Sequence, residues 1–594
     1  MKSYDLIEIG RRCGIKFIII FLMSMCCVQV DARIRIYVNS QADFDALSRT
    51  VVSAINKGEK DIYIIMRPHA EFVAKENHVF LGHVIAPMVN VFIKGNGSVL
   101  LPQGKEYRDG DSYTGSFSYD NSLMFGREDV PLWSYCKDAQ GLIEIIDKKT
   151  CRLKVNTRYA GNIEIDNSYV MIPEWCQTDV YKITKVEGEY IYFAVNGNKK
   201  SYNNGYLVND DYNYGGQGIR YKLCNMGESG VFFIQNGFVA LPHNVKYVRE
   251  GQIHNFITLQ SSEFNSVTIS GLEFRGNSYA NSKSAIFICD TRSDHIIIKK
   301  CIFRGLHSTA ISIESTANVT VDNNVFKDCH YYGVSSDNNS KNAVITNNTF
   351  ESMGKRMQCS FCITCRGEDY YVARNTLKDF GYGGIGVGVW HGHEKPCPSI
   401  GIVEYNELSY SKDYLANIKE KCIMDGGAIY LWTQNDRAII RNNYIHDISG
   451  VKDNRGIFCD DGARNIIVEN NVITNILNSY CIDSRRVSSM ESKIGPTNVN
   501  NVITGNIVDG QIRFIGREGG NNNCEYRTNF FLAATRKKSP NMIVNNVTVT
   551  GGDVVLEYSG KKRGRVGVSK TSYKELKKTP NWNALKVFVV RKDK

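Results

Sequence analysis

A short phrase of β-strand residues recurs through this chain and predicts an all-β fold, a parallel β-helix (a solenoid) with a small inserted β domain. The phrase takes forms such as VTVDNNVF and IIVENNVI, and its copies follow at steps of 29, 23, 24, 27, 31, 37, 28 and 35 residues. Repeats of roughly 20–50 residues are typical of stacked architectures. The copies end at Phe274, Phe303, Phe326, Phe350, Leu377, Leu408, Ile445, Ile473 and Val508.

An asparagine at a fixed place supports the same fold. It stands two residues before the end of seven consecutive copies, at Asn324, Asn348, Asn375, Asn406, Asn443, Asn471 and Asn506. Alternating β-branched residues within each phrase predict strands, and parallel strands without helices between them must be joined as coils. Asparagine tolerates the left-handed backbone region, and stacked amides can hydrogen-bond along such a column. We therefore expect an asparagine ladder at a tight turn.

The rhythm of the repeats divides the chain. Residues 33–104 predict an N-terminal cap and the first coils, since a strand, a helix and a strand follow one another there. Residues 105–258 break the rhythm and predict an inserted β-rich region. Residues 259–520 hold the β-helix core with the candidate active face, and residues 521–594 are expected to form irregular coils and a basic tail.

The N-terminal segment, residues 1–32, predicts a secretory signal peptide. Arg11, Arg12 and Lys16 precede an apolar run that is short for a bilayer span, and small residues precede a cleavage point after Ala32. We expect a mature protein that is secreted, periplasmic or on the surface of a bacterium, without stable membrane insertion.

The net charge of +11 is concentrated at the C-terminus. Residues 561–594 hold 12 Lys and Arg against Glu575 and Asp593, and residues 1–32 hold four basic and three acidic residues. The remainder is neutral by count, so no nucleic-acid partner is expected. A basic tail is most often a solvated end.

The 18 cysteines give no clear metal site. Three lie within residues 1–32, among them Cys26, where a lipid anchor is a second interpretation; an odd number, 15, remains. The cluster CSFCITC (359–365) has no fourth ligand at a metal spacing. We expect buried apolar cysteines there, with one disulfide at most. The segment WHGHEKPCPS (390–399) holds His393 and Glu394, but substrate contacts suit it better than a metal.

Aligning the coils gathers unlike residues on one outward face. The alignment places Trp432 over Asp460, Asp483 in the row of Phe458, and Arg485 in the row of Asp460. We expect an exposed groove of aromatic, acidic and basic side chains, a composition that suits a glycan. The alternative is an ordinary polar exterior. Predicted substrate-binding residues are Trp390, His391, Tyr430, Trp432, Arg485 and Arg486.

The segments IMDGGAIYLWTQNDRAIIRNNYIHDI (423–448) and RGIFCDDGARNIIVENNVI (455–473) resemble secreted bacterial right-handed β-helix glycosidases, namely glycoside hydrolase family 141 and the related family 120. The shared features are DGG(A/G)IY, N.IHDI and, one coil later, GI..DDG. Where the family has GIYLDDGSSG, this chain has Cys459 and ARN. The resemblance implies a right-handed helix and cleavage of glycosidic bonds by carboxyl groups, on a plant or host polysaccharide with deoxy or pentose sugars.

The positions that match the family implicate Asp425, Asp460 and Asp461. Hydrolysis needs a proton donor and a nucleophile or base, about 5–5.5 Å apart for retention and about 6.5–9.5 Å for inversion. Asp483, one coil away and roughly 8 Å from Asp460 by strand spacings, is the further candidate. We rank Asp460 first; each of the four could instead be a turn or cap carboxylate.

We therefore expect a glycoside hydrolase that acts on a polysaccharide or oligosaccharide, as a monomer and without a cofactor. A polysaccharide lyase acting on a uronic-acid-containing glycan is the first alternative, and Ca²⁺ would be expected only in that case. A non-catalytic glycan-binding solenoid is the second alternative.

Overall fold

The computed structural model of the protein describes most of the chain between residues 33 and 566. The described ranges are 33–74, 81–102, 106–108, 112–114, 123–126, 140–141, 143–147, 150–154, 168–173, 178–188, 190–194, 219–220, 222–225, 231–234, 238–240, 247–249, 255–275, 284–306, 309–329, 331–354, 360–388, 400–416, 426–432, 437–450, 454–460, 462–486, 491, 495–516, 523–527, 529–531, 542–544, 547–550, 554–558 and 563–566. The predicted signal peptide and the basic tail beyond residue 566 lie outside these ranges.

One long sheet, here sheet 1, receives two consecutive short strands from each coil of the repeat region. Its 25 strands pair in parallel from coil to coil, apart from one antiparallel pair at the C-terminal end. They are Arg33–Val38, Asp61–Met66, Glu71–Ala74, Ile85–Pro102, Glu263–Arg275, Arg292–Lys299, Ile302–Arg304, Val319–Asp322, Val325–Lys327, Val344–Thr346, Thr349–Glu351, Tyr371–Ala373, Thr376–Lys378, Gly401–Glu404, Glu407–Ser409, Ala438–Arg441, Tyr444–Ile448, Ile467–Glu469, Val472–Ile476, Val502–Thr504, Ile507–Val508, Cys524–Arg527, Phe530–Phe531, Met542–Val544 and Val547–Thr550.

A second sheet, here sheet 2, closes the coils on the other side. Its strands are Ile257–Gln260, Ser284–Cys289, Thr309–Glu314, Val334–Ser336, Phe361–Cys365, Gly383–Val387, Gly427–Leu431, Arg455–Cys459, Ile482–Arg485, Ile512–Gly516, Val554–Tyr558 and Arg563–Val566. All pair in parallel except the last, which runs antiparallel. The parallel stacking of successive coils confirms the predicted parallel β-helix.

The asparagine ladder forms as predicted, at the bend between the two strands that each coil adds to sheet 1. The amide nitrogen Nδ2 of each asparagine donates to Oδ1 of the next one along the solenoid, at 2.9–3.0 Å. The same Oδ1 accepts the backbone N–H of the preceding ladder residue, as Asn406 Oδ1 does from Asn375 N at 3.0 Å. The ladder extends one coil further than the sequence indicated, to Asn529.

The sequence led us to expect the left-handed backbone at the ladder asparagine. The structure places it at the residue before that asparagine. Six predecessors have φ between 54° and 57°: Asn323, Asn347, Arg374, Tyr405, Asn442 and Asn470. The left-handed residue makes the bend and leaves the following asparagine in position to point its amide inward. The seven predicted ladder asparagines are buried, and Asn529 at the end of the ladder is half-buried.

Like residues also stack inside the solenoid. The rings of Phe274, Phe303, Phe326 and Phe350 lie parallel, with centroids 4.8, 4.7 and 4.4 Å apart in turn. Leu377, Leu408 and Ile445 continue the column in the following coils. Each coil therefore buries its apolar side chains against the same type of residue, and this apolar burial is the main stabilising contribution.

A helix covers the N-terminal end of the core. Helix Gln41–Asn56 packs Phe44, Leu47 and Val51 into the first coils. It starts at Ser40, whose hydroxyl accepts the N–H of Asp43 in a capping box. A second, short helix covers Lys412–Ala416.

The insertion interrupts two strands that are neighbours in space. Strand Glu263–Arg275 pairs directly with Ile85–Pro102, although about 160 residues separate them in the chain. Between them, nested antiparallel pairs join Glu106–Arg108 to Tyr247–Arg249, Ser112–Thr114 to Phe238–Ala240, Leu123–Gly126 to Val231–Ile234 and Gln140–Gly141 to Ile219–Arg220. A six-stranded sheet follows, of Ile143–Asp147, Thr150–Lys154, Ser168–Pro173, Thr178–Glu187, Tyr190–Ala194 and Lys222–Asn225. The predicted inserted β domain is confirmed.

Within the described ranges, no helix has the length and apolar content needed to cross a membrane.

Cys362 and Cys365 of the CSFCITC cluster point into the core, where burial raises the pKa of the Cys365 thiol to about 12. Cys359 lies outside the described residues.

Candidate functional site

The candidate site lies on the outward side of sheet 2, between strands Phe361–Cys365 and Ile512–Gly516; we name this surface the site face. In strand Gly427–Leu431, Ile429 pairs with Ile457 and Leu431 with Cys459 of the next coil. The backbone N–H of Asp460 donates to the Leu431 carbonyl at 2.9 Å. Trp432 therefore lies beside Asp460, which confirms the predicted register.

The aromatic side chains of the site face pack on one another instead of lining an open groove. They form a cluster separate from the solenoid core, of Phe361, Tyr382, Tyr430, Trp432 and Phe458. The expected exposure of Tyr430 and Trp432 is wrong: they are 3% and 5% exposed. Trp432 is 4.9 Å from Phe361 and 5.5 Å from Tyr430, between ring centroids.

Glycines in strand Gly383–Val387 make this packing possible. A Cβ atom on Gly386 would lie only 2.8 Å from Cη2 of Trp432, and one on Gly383 would clash with the ring of Phe361. The rings therefore lie flat on the backbone of sheet 2. The alternation GGIGVG places two of these glycines outward while Ile385 and Val387 fill the core.

Asp460 follows strand Arg455–Cys459 and contacts the aromatic cluster through Tyr430. Its Oδ2 accepts the Tyr430 hydroxyl at 2.7 Å, and its backbone carbonyl accepts the N–H of Ala463 at 3.0 Å, which turns the chain. The neighbouring Cys459 points into the core, so alternation directs Asp460 outward. A fraction of 8% of the residue stays exposed.

Asp483 occupies a different environment from the one expected of a catalytic carboxyl. It is fully buried, and Nε atoms of Arg455, Arg485 and Arg513 lie 3.0, 2.9 and 2.7 Å from its oxygens. Arg513 adds a second contact from Nη2 at 2.5 Å. A carboxylate without solvent exposure and in contact with three arginines fits a structural anchor better than the predicted catalytic reserve.

The same arginines enclose Phe458. The guanidinium carbons of Arg455 and Arg485 lie 3.9 and 4.8 Å from the centroid of its ring, within cation–π range. The contacts of Arg455 and Arg513 with Asp483 were not predicted from the sequence. Aligning GQIRFIG as one further coil would have placed Arg513 beside Asp483, as the register shows.

The two predicted substrate-binding arginines are both engaged by carboxylates of the chain. Arg485 pairs with Asp483, and Arg486 pairs with Glu491 through contacts of 2.8 and 2.5 Å. Both arginines are largely covered, with 22% and 12% of their side chains exposed.

Several predicted residues lie outside the described ranges. They are Asp425, Asp461, Trp390, His391, His393 and Glu394. Among the residues that are described, no group of three or more His, Cys, Asp or Glu is arranged to hold a metal ion.

The folded chain belongs to the class of right-handed parallel β-helices. A family model described as a right handed beta helix region matches residues 195–377. None of the curated proteins matches the chain in sequence.

Two solved structures illustrate what the chain is similar to. A structure described as a glycoside hydrolase superimposes with a TM-score of 0.52 at 11% identity, over 80% of this chain and 93% of that chain. The A-module of a mannuronan C-5 epimerase of Azotobacter vinelandii aligns with a TM-score of 0.43 at 10% identity, over 89% of this chain and 97% of that chain. At such identities the similarity concerns the fold.

Proposed function

We propose that the protein is a polysaccharide-cleaving glycoside hydrolase and that Asp460 is one of its catalytic carboxyl groups. The observation that carries this proposal is the placement of Asp460, a carboxylate outside the core and held by the Tyr430 hydroxyl at 2.7 Å. Fold similarity to a glycoside hydrolase structure supports the reaction class. The predicted signal peptide fits a polysaccharide substrate outside the cell.

The environment of Asp460 explains why it, and not Asp483, is assigned the chemistry. The two carboxylates lie in adjacent coils of the site face. Three arginines contact Asp483, whereas Asp460 accepts the neutral hydroxyl of Tyr430. The Tyr430 hydroxyl orients the Asp460 carboxylate on the outward side of sheet 2. This arrangement suits a nucleophile or a general base.

The second carboxyl group is assigned to Asp461 or Asp425. Asp461 follows Asp460 directly in the chain, and Asp425 precedes strand Gly427–Leu431, which lies in the adjacent coil. A separation of about 5–5.5 Å from Asp460 would make the reaction retaining, and about 6.5–9.5 Å would make it inverting.

Product analysis tests the proposal. The protein is incubated with a panel of neutral and acidic plant and bacterial polysaccharides, and the products are analysed by mass spectrometry and by absorbance near the ultraviolet band of unsaturated uronates. Saturated oligosaccharides with new reducing ends are expected. Unsaturated products would show a lyase, and binding without products would show a glycan-binding solenoid; either result would overturn the hydrolase.

A further inference from the structure

Arg366 stands at the end of strand Phe361–Cys365, in the same row of the site face as Asp460. Cys365 pairs with Val387, so Arg366 lies beside Gly388; Trp432 and Asp460 follow in the next two coils. Three coil spacings of about 4.8 Å separate Arg366 from Asp460 along the row, about 14 Å between their Cα atoms. Gly388 places no side chain between Arg366 and Trp432.

The guanidinium of Arg366 is uncommitted in the part of the chain that the structure describes. It forms no ion pair or hydrogen bond there, and its Nε atom is buried without a partner. Its guanidinium carbon lies 5.7 Å from the centroid of the Trp432 ring. By contrast, Arg485 is paired with Asp483 and Arg486 with Glu491.

The nearest acid in the row does not satisfy Arg366. Ser336 pairs with Cys365, which places Asp337 beside Arg366. Asp337 Oδ1 accepts from the Ser340 hydroxyl in its own turn at 2.6 Å and from the Ser315 backbone N–H of the preceding coil at 3.0 Å. A buried guanidinium nitrogen without an acceptor is unfavourable, and an acceptor from outside the chain would remove that cost.

We infer that Arg366 is a specificity-determining residue that binds a carboxylate of the substrate, which makes the substrate a polysaccharide containing uronic acid. The inference rests on the proposed function and names its substrate class. Arginine is suited to this role because its planar fork can donate two parallel hydrogen bonds to one carboxylate. The Trp432 ring holds the guanidinium in place by a cation–π contact. Arg366 contacts a sugar unit other than the one at the cleavage point, given its distance from Asp460.

Binding measurements test the inference independently of turnover. The full chain is titrated with polygalacturonate, alginate, glucuronoxylan and hyaluronan, each beside the same polymer after chemical reduction of its carboxylates to neutral sugars, and with dextran sulfate beside dextran. We expect wild-type protein to bind at least one acidic polymer about tenfold more tightly than its reduced form. Arg366→Gln is expected to lose that preference and to bind the reduced polymer as wild type does.

Arg304→Gln, at an exposed arginine of sheet 1, is the matched control and is expected to keep the preference. Equal binding of acidic and reduced polymers by wild type, or an undiminished preference in Arg366→Gln, would overturn the inference. An Arg366-dependent preference confined to dextran sulfate would assign a sulfate group in place of the carboxylate and overturn it as well. If acidic polymers bind through Arg366 but are not cleaved, the hydrolase proposal fails while the inference stands.

Discussion

The asparagine ladder and the site face are built on the same coils but follow opposite rules. Along the ladder, each coil repeats one residue, and each interior amide is bonded to the amides before and after it. Along the row of Asp460, successive coils present Arg366, Gly388, Trp432, Asp460 and Arg485. Like residues stabilise a stack, whereas a row of unlike residues makes no repeated contact. The ladder therefore supports the stack, and the site face is the surface to which we assign the proposed function.

The largest effect on stability is expected at Asp483, a residue of the site face that is buried and paired with arginines. Replacing Asp483 by Asn leaves three buried or partly buried guanidinium groups without their shared carboxylate. Breaking a buried ion pair costs about 3–5 kcal/mol, and we expect a loss of that size in denaturant unfolding. The control Glu187→Gln breaks an exposed pair with Lys185 at 2.9 Å and should change stability far less, because water screens exposed ion pairs. Equal effects of the two variants would show that Asp483 is not an anchor.

Replacing a ladder asparagine by alanine is expected to cost more stability in the middle of the ladder than at its end. Asn406→Ala removes the acceptor of Asn375 N and Nδ2 and the donor to Asn443 Oδ1, all buried. Since each unsatisfied group costs about 1–3 kcal/mol, we expect a loss of about 3 kcal/mol. Asn529→Ala, at the half-buried end of the ladder, should cost about 1 kcal/mol. Thermal and denaturant unfolding measure both; a larger loss at Asn529 would contradict the ladder as a cooperative support.

A smaller and purely catalytic effect is expected at Tyr430. Tyr430→Phe keeps the ring in the aromatic cluster but removes the hydroxyl that orients Asp460. We expect kcat to fall about tenfold, equivalent to about 1.4 kcal/mol. Tyr371→Phe removes a matched hydroxyl, which donates to Glu404 at 2.7 Å in sheet 1, and should leave kcat unchanged. Loss of activity in both variants would indicate general destabilisation.

The smallest expected effect is a pH-dependent change in stability caused by His446 in sheet 1. Burial lowers the pKa of His446, but its contacts with Asp447 at 2.6 Å and Glu407 at 3.4 Å outweigh burial and raise the pKa above its ordinary value. A raised pKa adds stability that is fully present below the unfolded-state pKa, about 6.5, and is lost as pH rises through the folded-state pKa.

His446→Gln should therefore lower the melting temperature at pH 5.5 and leave it close to wild type at pH 9. The expected difference is about 1 kcal/mol or less, because Glu407 is exposed. Melting curves of both proteins across this range measure it. A deficit in the variant that grows with pH would show that neutral histidine is the stabilising form.

The regular parts of the molecule could be predicted from the sequence, and the irregular parts could not. The fixed asparagine and the repeated apolar ends predicted the ladder, the core columns and the neighbours Trp432 and Asp460, because stacking repeats one contact in every coil. The burial of Trp432 could not be predicted, since it depends on Phe361, two coils earlier, and on the absence of a side chain at Gly386.

Two further features were beyond the sequence for similar reasons. Arg374 and Tyr405 adopt the left-handed backbone before ladder asparagines, a conformation that neither residue type prefers on its own; the stack imposes it. The environment of Asp483 depends on Arg455 and Arg513, which lie 28 residues before it and 30 residues after it in the chain. Only the register between three coils brings those side chains together.

The most direct test of the account compares Asp460→Asn with Asn406→Ala in one experiment, measuring specific activity and melting temperature for each. We expect Asp460→Asn to lose about 10³-fold or more of the activity and to melt near wild type. Asn406→Ala should melt well below wild type yet retain its specific activity at a temperature where it is folded. Wild-type turnover in Asp460→Asn would contradict the central claim that the site face carries the chemistry.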